Sequence, residues 1–110
     1  MSENNATAMV VRIRTEWTAA QPVLLASSNI ASRDVYHVGH LVDRLHLELL
    51  AGFDEAFDVA VALGKAVTEF AALTTDAAAS ESLNAIAETC LQFQEMRLEQ
   101  QTLSVRGSDA

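Results

Sequence analysis

An unbroken apolar repeat over residues 35–73 constrains the fold of this chain more than any other feature. Counted in heptads from Val35, every a and d position as far as Leu73 carries an apolar residue or glycine. A repeat of this period places apolar side chains along one side of an α-helix. The stripe stays in phase across Gly52, which favours one long central helix, straight or kinked. Glycine also commonly ends helices, so two helices divided at Gly52 are the alternative.

Composition supports helix throughout the chain. The 110 residues include 19 Ala and 13 Leu but only one Pro and four Gly. This balance favours helix over strand, and the length suits one domain. We therefore predict an all-α protein, a small helical bundle of three to four helices over residues 6–104. Residues 1–5 are expected to form a flexible N-terminus and residues 105–110 a disordered C-terminus.

Two further helices are predicted on either side of the central segment. Apolar residues recur at steps of three and four over residues 6–20, and Pro22 is expected to end that helix. A short helix or ordered turn should follow at residues 23–30. Residues 74–76, Thr-Thr-Asp, form a cap and turn signal. A last helix should therefore begin at residue 77 or 80 and end near residue 103.

Charge and hydropathy argue against two classes of partner, nucleic acids and membranes. Seven Lys and Arg against fifteen Asp and Glu give a net charge of −8, which a nucleic-acid backbone would repel. The densest apolar run, residues 59–63, is far shorter than a membrane span. We expect no direct nucleic-acid binding and no membrane insertion. The acidic N-terminus is unlike a signal peptide and Cys90 has no disulfide partner, so a cytoplasmic location is expected.

The three histidines of the chain follow one spacing, Asp34, His37, His40, Asp43 and His46. On a helix, five residues spaced by three cover about 240° of the surface, so they do not share one face. Only neighbours in this series can meet. His37 and His40 form the best pair, and Asp43 is a possible third ligand for a metal ion.

Three interpretations of this histidine series remain open. A metal- or haem-binding bundle using His37, His40 and Asp43 is the first, although Arg44 lies on the same arc and a cation there is unfavourable. A solvated polar face is the second, with Glu48 close beside Arg44. A pH-sensitive surface is the third, because imidazoles titrate near neutral pH.

Catalysis and cofactor binding have little support in the sequence. Cys90 lies on the apolar face of the last helix, where a buried structural thiol is more common than a nucleophile. The four glycines stand too far apart for a phosphate-binding loop. We expect a protein that is not an enzyme and has no cofactor.

Protein–protein interaction is the function that the sequence favours. About half of the helix surface over residues 53–73 is apolar or small, which is more than one neighbouring helix usually covers. We therefore expect a homodimer, or a partner protein helix, packed on the long helix. Its role would be that of a small acidic adaptor, an inhibitor or immunity-type protein, or a dedicated chaperone. The residues expected at this interface are Val38, Val42, Leu45, Leu49, Phe53, Ala56, Ala60, Leu63, Gly64, Val67 and Phe70.

Overall fold

The described chain consists of four α-helices and the short segments that join them. A computed structural model gives α1 (Ser2–Ala26), α2 (Ser32–Ala51), α3 (Phe53–Leu73) and α4 (Ala77–Asp109). The structure describes the backbone of residues 2–51 and 53–109, and the side chains of residues 7–49 and 55–96. The expected all-α bundle is confirmed. The side chains of the segments 1–5 and 105–110 lie outside the described residues, and the flexibility expected there stays a prediction.

The central segment is a hairpin of two helices. Asn29, in the loop before α2, donates a hydrogen bond from Nδ2 to the carbonyl oxygen of Leu73, the last residue of α3, at 2.7 Å. One continuous helix over the same stretch would hold these two ends about 60 Å apart. The prediction of one long central helix is therefore wrong. Phase continuity did not distinguish the two cases, because both helices of the hairpin must turn an apolar face to the same core.

The four helices surround one core in an up-down-up-down order. The α1 helix packs on α2 and α4, and α3 packs on the same two helices. Short connections between successive helices make neighbours antiparallel. The diagonal pair α1 and α3 meets through Trp17 and Phe70, whose ring centroids lie 6.4 Å apart with planes inclined by 20°.

The predicted apolar repeat supplies the core of the hairpin. Eight of its a and d residues are buried along α2 and α3, and the apolar face of α4 packs against the same core. Among the described d positions, Ala66 is half-buried, and Leu73, which ends α3, is exposed. The buried core residues of α2, α3 and α4 include Val35, Val38, Val42, Leu45, Ala56, Val59, Leu63, Phe70, Leu83, Ile86, Cys90 and Phe93.

The first helix passes through Pro22 and ends four residues later at Ala26. The expected break at Pro22 is therefore wrong. Proline removes one backbone hydrogen bond and costs a helix interior about 3 kcal/mol. Leu24 is fully buried and Leu25 packs against the core, and a buried leucine contributes about 1.5–3 kcal/mol. Tertiary burial of this last turn offsets the proline penalty, and the exposed ring of Pro22 points away from the core.

The turn between α3 and α4 is organised by side chains, as its sequence predicts. Asp76 Oδ1 accepts a hydrogen bond from the amide of Ala79 at 2.8 Å, which is an N-cap interaction. The amide of Asp76 in turn donates to Thr74 Oγ1 at 3.2 Å. The start of α4 at Ala77 follows from this cap.

Candidate functional site

The bundle separates the members of the histidine series. Asp34, His37, His40 and Asp43 are exposed, whereas His46 is half-buried. Only His40 and Asp43 line the cleft between α1 and α2. The predicted ligand set of His37, His40 and Asp43 is thus divided between the cleft and the outer surface of α2.

The structure provides no support for a metal centre. Among the described residues, no three His, Cys, Asp or Glu side chains come together in a group that could hold an ion. Arg44, which the sequence places beside the series, forms an ion pair with Glu48, with Nε and Oε1 3.5 Å apart. This part of α2 is a mixed-charge surface, as the second interpretation of the series expects.

The cleft between α1 and α2 is a small polar site of about 270 Å³. Successive turns of α1 contribute Arg14, Trp17 and Gln21, and α2 contributes Tyr36 and Asp43 among others. Arg14, Tyr36 and Asp43 are exposed. Among the described side chains, the one ion pair joins Arg44 and Glu48. Arg14 and Asp43 therefore do not form an ion pair with each other. The cleft therefore carries one cationic and one anionic side chain, both open to a ligand.

Trp17 forms the floor of this cleft. Its side chain is only 5 % exposed, and one ring face stacks on Phe70. Gly39 lies opposite, where an added Cβ would stand 3.5 Å from Trp17 Nε1. A glycine at this position leaves the indole N–H uncovered on the cleft side. A glycine in the interior of α2 permits close approach of a neighbour, and the neighbour at Gly39 is the indole of α1.

The residues expected at a dimer interface lie inside the single chain. Of the described members of that set, Leu49 and Gly64 are half-buried and the others are buried. Phe53 lies outside the described side chains. The premise that one chain cannot cover these faces does not hold, because α2 and α3 fold against each other and against α1 and α4. Association of two chains stays a prediction, and it requires other residues. The buried members are Val38, Val42, Leu45, Ala56, Ala60, Leu63, Val67 and Phe70.

A second groove lies on the opposite side of the bundle, between α3 and α4. Its volume is about 520 Å³, and it includes two exposed apolar side chains, Val61 and Leu91. Gly64 and Ala87, both half-buried, are small residues that form the floor of this groove. The helices are close here, since an added Cβ at Gly64 would stand 3.3 Å from the Cβ of Cys90. Apolar side chains thus border a shallow groove with small residues beneath.

Cys90 belongs to the core beneath this groove. Its side chain is fully buried and its thiol is free. Burial raises the pKa of the Cys90 thiol to about 12. The thiolate, which is the reactive form, is therefore scarce at neutral pH, and the predicted structural role of Cys90 agrees with this environment.

Sequence reasoning identified two of the cleft residues and missed the rest. His40 and Asp43 were candidates, but Arg14 and Trp17, which lie on another helix, were not. The signal that could have connected them is Gly39, a helix-interior glycine next to His40 that requires a bulky neighbour. The groove residues Val61 and Leu91 carry no local signal, because isolated exposed apolar residues are common.

Comparisons with known proteins found no relative of this chain. The chain matches no protein-family model, no curated protein and no solved structure. Over the residues that the structure describes, none of the helices combines the length and the apolar character needed to cross a bilayer.

Proposed function

We propose that this chain is a non-catalytic interaction module that binds an amphipathic helix of a partner protein in the groove between α3 and α4. The observation that supports the proposal is the pair of exposed apolar side chains, Val61 and Leu91, on the two helices that border one groove. An apolar stripe on a partner helix could pack between them, over Gly64 and Ala87. A protein that binds a partner helix in this way would act as a small acidic adaptor, inhibitor or chaperone.

Charge favours a basic partner over a second copy of the chain. The rim of the groove carries Glu69 and Glu88 beside one cation, Lys65. The whole chain has a net charge of −8, so two copies repel each other, whereas a helix with basic flanks is attracted. Homodimerisation is thus the alternative outcome of the experiment below. We also propose a cytoplasmic location, in which the reduced, buried Cys90 would persist.

Site-specific photo-crosslinking in the native source tests this proposal. A benzoylphenylalanine residue is introduced at position 61 or 91, and at position 11 as the control. Val11 is an equally apolar and exposed residue, but it lies on α1, away from the groove. We expect one protein to be crosslinked from 61 and 91 and not from 11, with a basic amphipathic helix at the crosslinked site.

Binding of that purified helix then provides the quantitative step. The double variant V61K/L91K should abolish binding, because it removes the apolar contact and adds charge that repels a basic helix. The V11K variant should bind like the unmodified chain. Adducts that contain only two copies of this chain, or equal adducts from position 11, would reject a helix-binding groove.

A further inference from the structure

We infer that the cleft between α1 and α2 binds a small zwitterion of the α-amino acid class, with its carboxylate toward Arg14 and Trp17 and its ammonium group toward Asp43. This site is separate from the groove between α3 and α4, and lies on the other side of the bundle. Each of the two sites can therefore be disrupted without touching the other.

The indole nitrogen of Trp17 favours a ligand with a carboxylate group. Trp17 is only 5 % exposed, and the N–H of a buried tryptophan usually has an acceptor. No protein acceptor for Nε1 is found, and no buried side-chain nitrogen or oxygen among the described residues lacks a partner, so Nε1 is open to water in the cleft beside Gly39. An oxygen atom of a ligand would replace that water as the acceptor. A carboxylate suits best, because charge-assisted hydrogen bonds are the strongest.

The arrangement of charge along the cleft favours a zwitterion. Trp17 Nε1 lies beside Gly39, so these two residues mark a common level on the two antiparallel helices. Arg14 precedes Trp17 by three residues on α1, and Asp43 follows Gly39 by four residues on α2. Because the two helices are antiparallel, both residues lie about 5 Å from that level in the same direction along the bundle. A cation and an anion without protein partners therefore share one end of the cleft. An α-amino acid carries the two complementary charges on adjacent groups.

The other end of the cleft is polar and uncharged. Gln21 and Tyr36 lie about 5 Å from the Trp17 level in the opposite direction. Amide and phenol groups there suit an uncharged side chain that can form hydrogen bonds. The cleft volume of about 270 Å³ is below the range of about 300–1,000 Å³ typical of sites for drug-sized ligands. A single free amino acid with an uncharged polar side chain, such as glutamine, is the class that matches both ends.

Tryptophan fluorescence measures this binding directly, because Trp17 is the one tryptophan of the chain. Glutamine is titrated against the full chain at millimolar concentrations, with calorimetry as the second measurement. Two analogues each lack one charge: glutaramic acid has no ammonium group, and 4-aminobutanamide has no carboxylate. Glucose serves as an uncharged polar ligand of similar size. We expect saturable binding of glutamine and much weaker binding of the other three.

Matched variants assign the two charges. R14Q and D43N should each weaken glutamine binding about tenfold or more, because each removes a charge-assisted hydrogen bond. R12Q and D34N are the controls, since Arg12 and Asp34 are exposed on the same two helices but do not line the cleft. G39A should also weaken binding, because its Cβ would cover Trp17 Nε1. Circular dichroism and melting temperature establish that all five variants fold.

Several results would overturn the inference. These are the absence of saturable glutamine binding by both measurements, equal binding of either single-charge analogue or glucose, and equal loss of affinity in R12Q and R14Q. Binding that survives G39A unchanged would place the ligand elsewhere on the chain.

Discussion

Asn29 and Leu73 are 44 positions apart in the sequence, yet the side-chain amide of Asn29 donates to the carbonyl oxygen of Leu73 at 2.7 Å. Asn29 is itself oriented by Ser27, whose hydroxyl donates to Asn29 Oδ1. One side chain thus joins the loop between α1 and α2 to the end of α3. This contact closes one end of the bundle.

The substitution N29A should destabilise the protein by about 1 kcal/mol, the usual contribution of one net hydrogen bond. The measurement is urea unfolding followed by circular dichroism. N84A is the control, because Asn84 is an exposed asparagine on α4, away from the contact between Asn29 and Leu73. If the two variants unfold at the same urea concentration, the contact between Asn29 and Leu73 does not stabilise the fold.

Two helix-interior glycines should respond in opposite directions to alanine. G39A should stabilise the protein by up to about 1 kcal/mol, because alanine favours helix and its Cβ would make an ordinary contact at 3.5 Å. G64A should lower stability, because its Cβ would meet the Cβ of Cys90 at 3.3 Å. That atom is fixed to the backbone of α4 and cannot rotate away. Thermal melting compares the two, and a G64A variant that melts above G39A would contradict this account.

Cys90 should resist modification in the folded protein. Its thiol pKa is raised to about 12 by burial, and the side chain is inaccessible. Ellman's reagent at pH 8 should therefore react slowly with the native chain and rapidly after unfolding in urea. An N84C variant, with an exposed thiol on the same helix, should provide one rapidly reacting equivalent. Rapid reaction of the unmodified native chain would show that α4 opens readily.

The raised thiol pKa also predicts a loss of stability in alkali. The unfolded thiol releases its proton near its ordinary pKa of 9.0, whereas the folded thiol holds its proton to about pH 12. Stability from this group is thus complete below pH 9 and declines as the pH rises toward 12. The variant C90A should show a smaller decline between pH 8 and pH 10.5, measured by urea unfolding at each pH. An identical decline in both proteins would exclude a contribution from Cys90.

Glu55 should make the fold more stable in mild acid than at neutral pH. A hydrogen bond with Glu48, and then repulsion between the two carboxylates, raise the pKa of Glu55 above its ordinary value of 4.5. The stability associated with the protonated form is complete below pH 4.5 and is lost as the pH rises through the raised pKa. E55Q should therefore lose less stability than the unmodified protein between pH 4 and pH 7, measured as melting temperature. E81Q, an exposed glutamate variant on α4, should behave like the unmodified protein.

The inward face of each helix could be predicted from the sequence because helical periodicity is a local property. Apolar residues at helical spacing form a stripe through Ile13 and Trp17 on α1 and another through Leu83, Ile86 and Phe93 on α4, and both stripes are buried. The cap at Asp76 could also be predicted from the sequence, because an N-cap interaction joins residues that are three positions apart. Pro22 was misjudged because its cost is local, whereas the burial of Leu24 that offsets it is tertiary.

The candidate sites could be predicted only in part. His40 and Asp43 attract attention by their residue types, but their partners Arg14 and Trp17 come from another helix. Their meeting depends on the level at which α1 packs on α2, which the contact between Gly39 and Trp17 sets. No pattern within either helix encodes that level.

The sequence alone determined that the chain is helical and which side of each helix is apolar, because residue propensities and a period near 3.6 act within a few turns. Only the tertiary structure decided that residues 32–73 fold back as a hairpin and that the apolar faces of α2 and α3 are covered within one chain. The physical reason is that hydrophobic burial has no preferred direction: an apolar stripe must be covered, but its own residues do not specify the helix that covers it.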